Sequence, residues 1–287
     1  MNDFIDHILK KHLSPSICIK TTSSVSGGCV NSTYKISTDT GSYFLKWNKA
    51  SLNGMFISEE KGLDLLHKYS PIITPKPLGK GVISEKSYLL TEWIEQGIQS
   101  SRFWENFGNN LAKQHQNTAT KFGLDHDNFI GSLAQSNAQH SSWNDFFIQE
   151  RLVPQLRLAE SKNLISNSIQ VQFEMLYSKL DELIPPEQPA LLHGDLWSGN
   201  FMINQTGEAA IFDPAVYYGH RETELAFTKL FGGFSSEFYH HYNEAHPMEQ
   251  GFDSRVDIHN LYPLLVHVNL FGTSYLSGII QTLNRFT

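Results

Sequence analysis

The stretch 191-LLHGDLWSGN-200 sets Asp195 and Asn200 five positions apart on a loop that runs straight into the apolar segment Phe201-Met202-Ile203. Phosphoryl transfer asks a protein mainly for positioning and charge stabilisation: a base for the acceptor hydroxyl, hard oxygen ligands for a metal, and a cation for the phosphates. Asp195 and Asn200 supply the base and one oxygen ligand. The pattern predicts an active-site loop that leads into a strand.

That interval of base to asparagine is the one found in the catalytic loop of protein kinases. Downstream, Phe201–Ile203 and 209–212 flank a Gln-Thr-Gly turn and read as a short hairpin, which delivers Asp213 to its end as a second hard oxygen ligand. The cation is expected on a strand of the first lobe, where Lys46 stands in YFLKWN. Its partner is a glutamate on the following helix. Glu59 shares a helical face with Leu63 and Leu66, which must point inward, whereas Glu60 shares its face with Asp64 and His67, so Glu59 is the better partner. Gly27 and Gly28, ahead of the Lys46 strand, would let a backbone approach phosphates closely.

The rest of the chain fits one arrangement around these residues. MNDFIDHILKKHL carries apolar residues at helical spacing, unlike the unbroken apolar stretch of a secretory signal. A hairpin is expected around the turn at 38–41, a helix from Met55 to Tyr69, and strand-like residues up to Glu95 after the proline-broken connector PIITPKPLG. Beyond Gly97 helical patterns dominate. The predicted fold is therefore α+β and two-lobed: residues 1–95 form a small antiparallel-sheet, nucleotide-binding lobe, and 96–287 a mostly helical catalytic and substrate-binding lobe.

In a chain of 287 residues, 40% hydrophobic and 18% charged, no room is left for a long disordered tail. A net charge of -7 argues against nucleic acid or an anionic membrane as partner. Two cysteines, Cys18 and Cys29, are too few for a disulfide framework, which points to a reducing, cytoplasmic setting. A monomer is expected.

Over nearly its whole length the sequence resembles a bacterial member of the fructosamine kinase (ketosamine kinase) family, in the wider group of aminoglycoside and choline kinases. The resemblance is carried by SGGCVNSTYKI, YFLKWN, LLTEWIE, FGLDHDNFIGSLAQSN, LLHGDLWSGN, IFDPAVYYGHRETELAFTKLFGGF and LVHVNLFGTSY. It implies a protein-kinase-like fold and ATP- and Mg2+-dependent phosphorylation of the sugar 3-hydroxyl of ketosamines, the adducts of sugars with amines such as protein lysines. It implies too that Asp195 is the base, that Asn200 and Asp213 hold the metal, that Lys46 with Glu59 orders the phosphates, and that Glu92, Trp93 and Ile94 form the adenine-binding hinge. Ser136 and Glu224 depart from the residues usual in the family, proline and aspartate, and both are expected to lie outside the catalytic core.

Several residues carry two readings. Trp197 either packs or covers the sugar and its cationic amine. His220, Arg221 and Glu222 either fix the loop after Asp213 or touch substrate. His267, on an apolar helix, is either a core histidine or a cleft residue. His240, His241 and His246 lack zinc spacing and read as surface residues, and Cys29 would be oxidisable if exposed. The rival functions are a kinase for another amino alcohol and a nucleotide-binding pseudokinase; the retention of Lys46, Asp195 and Asp213 weighs against the second.

Overall fold

The computed structural model describes residues 2–25 and 30–287. Its first part is a five-stranded antiparallel sheet in the order β1-β2-β3-β5-β4, built from β1 (Ile19–Ser24), β2 (Ser32–Thr38), β3 (Ser42–Lys49), β4 (Pro77–Ile83) and β5 (Lys86–Glu92). Helix α1 (Asn2–His12) covers one face by burying Ile5, Ile8 and Leu9 against Ile36, Leu45, Tyr88 and Leu90. Alternation along β3 then decides where the next side chain goes. Leu45 points to α1, so Lys46 points to the opposite face, towards α2 (Asn53–Tyr69).

The connector reading of PIITPKPLG is corrected in part, because β4 begins at Pro77. Proline is tolerated as the first residue of this edge strand. Gly79 is required on β4, since a Cβ there would lie 2.2 Å from the ring of His12. That ring hydrogen-bonds the Tyr88 hydroxyl at 2.8 Å and ties α1 to the sheet.

The remainder is largely helical, with α3 (Phe103–His115), α4 (Trp143–Phe146), a π-helical turn (Phe147–Leu152), α5 (Val153–Ser161), α6 (Asn167–Tyr177) and α7 (Leu180–Leu183) before the catalytic stretch. After it come α8 (Arg221–Leu230), α9 (Ser236–Ala245), α10 (Phe252–His259), α11 (Leu261–Phe271) and α12 (Leu276–Phe286). Short antiparallel pairs interrupt the helices: β6 (Asn128–Ile130) with β7 (Leu133–Gln135), β8 (Ala190–Leu192) with β11 (Tyr217–Gly219), and β9 (Phe201–Ile203) with β10 (Ala209–Ile211). The β9–β10 hairpin is the one expected from the sequence. Its turn is closed by Asn204, whose Oδ1 accepts the N–H groups of Thr206 and Glu208, and Gly207 takes a φ of 80°. Among the described residues no helix is long and apolar enough to cross a membrane.

Candidate active site

Two strand pairs converge on the loop 193–200. Pairing of β8 with β11 sets Leu192 opposite Tyr217, and the Ala215 N–H donates to the His193 carbonyl at 2.9 Å. Gly194 follows with a φ of 82°, and a Cβ there would meet the Ala215 carbonyl oxygen at 2.0 Å, so only glycine fits. Asp195 comes next.

His193 is fully buried and joins the loop to the segment before Asp213. Its Nδ1 accepts the Asp195 N–H at 3.3 Å, so Nε2 carries the proton and donates to the Phe212 carbonyl at 3.0 Å. Burial holds this imidazole below its ordinary pKa and keeps it neutral. Asp213 itself takes a left-handed φ of 58°.

These constraints bring Lys46, Glu59, Asp195, Trp197, Asn200 and Asp213 to the lining of one open cleft of about 370 Å³. Lys46, with a side chain 6% exposed, donates to Glu59 Oε1 at 2.6 Å and to Asp213 Oδ1. Burial opposes the ammonium charge, but Asp213 and Glu59 more than offset it and hold Lys46 above its ordinary pKa. For Glu59 burial prevails over the pull of Lys46, and its pKa is raised. The choice of Glu59 over Glu60 holds geometrically, because Glu60 pairs with Lys80 instead.

The Asn200 amide Nδ2 donates to the backbone carbonyl of Asp195 at 2.8 Å and to its Oδ2 at 2.9 Å. Asp195 Oδ1 and Asn200 Oδ1 have no hydrogen-bond partner among the described residues. Burial beneath the cleft walls raises the Asp195 pKa well above the usual carboxylate range; Asn200 opposes the rise, and Asp213 and Glu224 add to it.

Glu92, Trp93 and Ile94 do not line this cleft. Glu92 ends β5 and Trp93 and Ile94 follow it, where the chain crosses over and Gly97 N–H donates to the Ile203 carbonyl at 3.0 Å. The backbone N–H of Ile94 has no partner among the described residues, while that of Glu92 is used by the Lys76 carbonyl. Trp93 packs under Lys35 at 4.4 Å. Gly27, Gly28 and Cys29 lie outside the described residues.

The reading of His220, Arg221 and Glu222 as substrate contacts is corrected. They are 0%, 3% and 1% exposed and their polar atoms are engaged elsewhere. His220 caps α8 by accepting the Glu222 N–H and donates from Nε2 to the Pro185 carbonyl; Arg221 binds Glu187 and the carbonyls of His246 and Pro247. Glu222 takes a bidentate pair from Arg255 and a hydrogen bond from His259 Nε2. His240 and His241 lie on α9 beside Glu244, and His246 follows that helix.

Glu224, expected outside the catalytic core, lies directly beneath it. Its Oε1 accepts the Gly194 N–H at 2.7 Å and its Oε2 the His193 N–H at 3.2 Å. His115 Nε2 donates to the same Oε2 at 2.9 Å and is itself fixed by the Tyr242 hydroxyl. The β6–β7 hairpin, which lies where helical patterns dominate the sequence, contributes Asn128, Phe129, Gly131 and Ser132 to the cleft wall. Its Asn-Phe-Ile and Leu-Ala-Gln runs around Gly131-Ser132 were the available signal.

The family model for fructosamine kinase matches residues 1–287. The chain is 40% identical to the "Probable ketoamine kinase" of Enterococcus faecium over 91% of its own length and 94% of that protein's. It is 36% identical to the chloroplastic protein-ribulosamine 3-kinase of Arabidopsis thaliana, over 92% of this chain and 81% of that one. Among solved structures, a Haemophilus somnus 129PT protein assigned as a fructosamine-3-kinase superposes with a TM-score of 0.88 at 31% identity, covering 98% and 96% of the two chains. A thermostable mutant of the aminoglycoside phosphotransferase APH(4)-Ia shares the kinase-like fold, with a TM-score of 0.61 at 14% identity and 98% of each chain covered.

Proposed function

We propose that this chain, which belongs to the fructosamine kinase family and is a phosphotransferase, transfers the γ-phosphoryl group of ATP to the 3-hydroxyl of a ketosamine. The observation that carries the reading is the single cleft in which Lys46, braced by Glu59, faces Asp195, Asn200 and Asp213, with Trp197 in the same wall. Residues 1–95 would serve as the nucleotide lobe and 96–287 as the catalytic one.

Asp195 is the base in this reading. Its Oδ2 is held by Asn200, which leaves Oδ1 to take the hydroxyl proton, and its raised pKa makes it a stronger acceptor than an ordinary carboxylate. The sugar oxygen attacks the γ-phosphorus, the bond to the β,γ-bridging oxygen breaks, and ADP leaves with that electron pair. Lys46 meets the phosphates with an ammonium whose charge is secured by its neighbours. The unpaired Ile94 N–H suits adenine recognition through the backbone.

Asn200 Oδ1 and the 45%-exposed carboxylate of Asp213 form a hard-oxygen pair that fits Mg2+. When bound, Mg2+ neutralises charge on the phosphate oxygens. A phosphate on C3 is a leaving group beside the C1–C2 enaminol form: the nitrogen lone pair would expel it as inorganic phosphate and leave an imine at C1, and hydrolysis of that imine by water would free the amine and give the reaction a deglycating outcome.

The test is steady-state kinetics with ATP on ribulose- and fructose-amine adducts, the matching free ketoses and an aminoglycoside, with the phosphorylated carbon assigned by NMR. Preferential phosphorylation of an adduct at C3 is expected. Equal use of adduct and free sugar would overturn the ketosamine reading, as would better use of the aminoglycoside.

A further inference from the structure

Two turns with the same Phe-Gly signature stand beside the cleft. Phe231-Gly232 closes α8 and Phe271-Gly272 closes α11; the glycines take φ values of 70° and 100°. Both phenylalanines are open to solvent, Phe231 at 39% and Phe271 at 54%. They are nonetheless gathered around one residue. The His267 ring centroid lies 4.9 Å from Phe231, 5.4 Å from Phe271 and 5.0 Å from Tyr275, and Trp197 lies 5.9 Å from Phe231. Exposed rings forgo the burial that a role in folding would use, and an exposed apolar cluster continuous with a catalytic cleft marks a binding surface.

His267 gives the cluster its chemistry. Its Nδ1 lies 2.7 Å from the Pro263 carbonyl, which can only accept, so the proton is on Nδ1 and Nε2 presents a lone pair. No described residue hydrogen-bonds that Nε2. Burial lowers the imidazole pKa, which favours the neutral form. Phe271 and Trp197 line the cleft that holds Asp195, and His267 lines a small adjoining pocket of about 30 Å³ that also reaches Asp195.

We propose that Phe231, His267, Phe271 and Tyr275, together with Trp197, form the subsite for the amine half of the substrate. The inference rests on the ketosamine reading and specifies how the amine is recognised. A dialkylammonium carries a positive charge, two N–H donors and an apolar stem. The aromatic faces take the charge, His267 Nε2 accepts one N–H, and Phe271 and Tyr275 flank the stem. The site therefore selects the cation next to the sugar, whatever carries the amine beyond it.

The experiment compares a butylamine ketosamine with the 1-O-butyl ether of the same ketose, which keeps the chain length but has a neutral oxygen. Wild type is expected to prefer the ketosamine by about 2- to 30-fold in kcat/KM, the range of a cation held over aromatic faces. The double variant Phe231→Leu, Phe271→Leu keeps apolar bulk and removes the ring faces. It should lose most of that preference through KM, and binding of an ATP analogue reports whether it is folded. His267→Leu serves as a second variant should the double one fail to fold. A preference that survives in a folded variant overturns the subsite. Wild type that phosphorylates ketosamine well but shows no preference over the ether also overturns it while leaving the kinase reading intact. Failure to use ketosamine at all overturns both.

Discussion

The Glu224 carboxylate accepts the backbone N–H of Gly194 at 2.7 Å, one residue before Asp195. With its other oxygen on the His193 N–H, it orients the loop that carries the proposed base and adds negative charge behind it. Glu224→Gln keeps the shape but loses the charge and one acceptor. We expect kcat to fall about 10- to 100-fold through loop misplacement, and stability to fall by about 1–3 kcal/mol from the under-satisfied donors. The distinguishing measurement is the pH–rate profile: with the charge removed, the acid limb should move to lower pH. A lower melting temperature with an unmoved acid limb would reduce Glu224 to a structural role.

Asp195 should show its raised pKa directly. A base protonated at higher pH than an ordinary carboxylate loses activity earlier on acidification, so the acid limb of kcat/KM should lie above the model-peptide value of 3.8. Asp195→Asn should lower kcat by about 10² to 10⁴ while nucleotide affinity stays near wild type. Turnover within a few-fold of wild type would remove the base assignment.

Asp213 and Lys46 form a linked pair, with Glu59 on the far side of the ammonium at 2.6 Å. Asp213→Asn takes away a charged oxygen but leaves Lys46 its other partner, so the fold should survive. The magnesium concentration needed for half-maximal activity should rise at least about tenfold, and nucleotide affinity should fall with it. Titration of both against Mg2+ decides this, and an unchanged magnesium dependence would make Asp213 a purely structural partner of Lys46.

Most of the cleft was legible because its residues are fixed by short-range rules. Asn200 reaches Asp195 across a single loop, Asp213 is delivered by a hairpin of two three-residue strands with a readable turn, and strand alternation aims Lys46 away from α1. What escaped depends on partners remote in sequence. Glu224 meets His115 from 109 positions away, so its place under Gly194 left no local pattern. His220 to Glu222 carry two readings in the sequence because they follow Asp213 closely, and α8, which starts at Arg221, decides for the structural one by turning them inward to Pro185, Glu187 and Arg255. The strands β6 and β7 are three residues each, too short for alternation to stand out from the helical background.

The buried cluster around His220 should govern acid stability. Burial, with a smaller push from His259, holds His220 down at about 4, against 6.5 for a free histidine. Because the folded value is depressed, the unfolded chain binds more protons between those values; stability is fully present above about pH 6.5 and is lost as pH falls towards 4. For this one group the loss between pH 7.5 and pH 5 comes to about 2 kcal/mol. His220→Asn removes the titration but keeps a side-chain acceptor for the Glu222 N–H at the start of α8. The variant should be less stable at pH 7.5, where the bond to the Pro185 carbonyl is lost, yet decline less between the two pH values. Denaturant unfolding of both proteins at pH 7.5 and pH 5 measures the difference of slopes. An equal decline in wild type and variant would mean that the acid sensitivity arises elsewhere, with His193 and His246, also held below their ordinary values, the next to substitute.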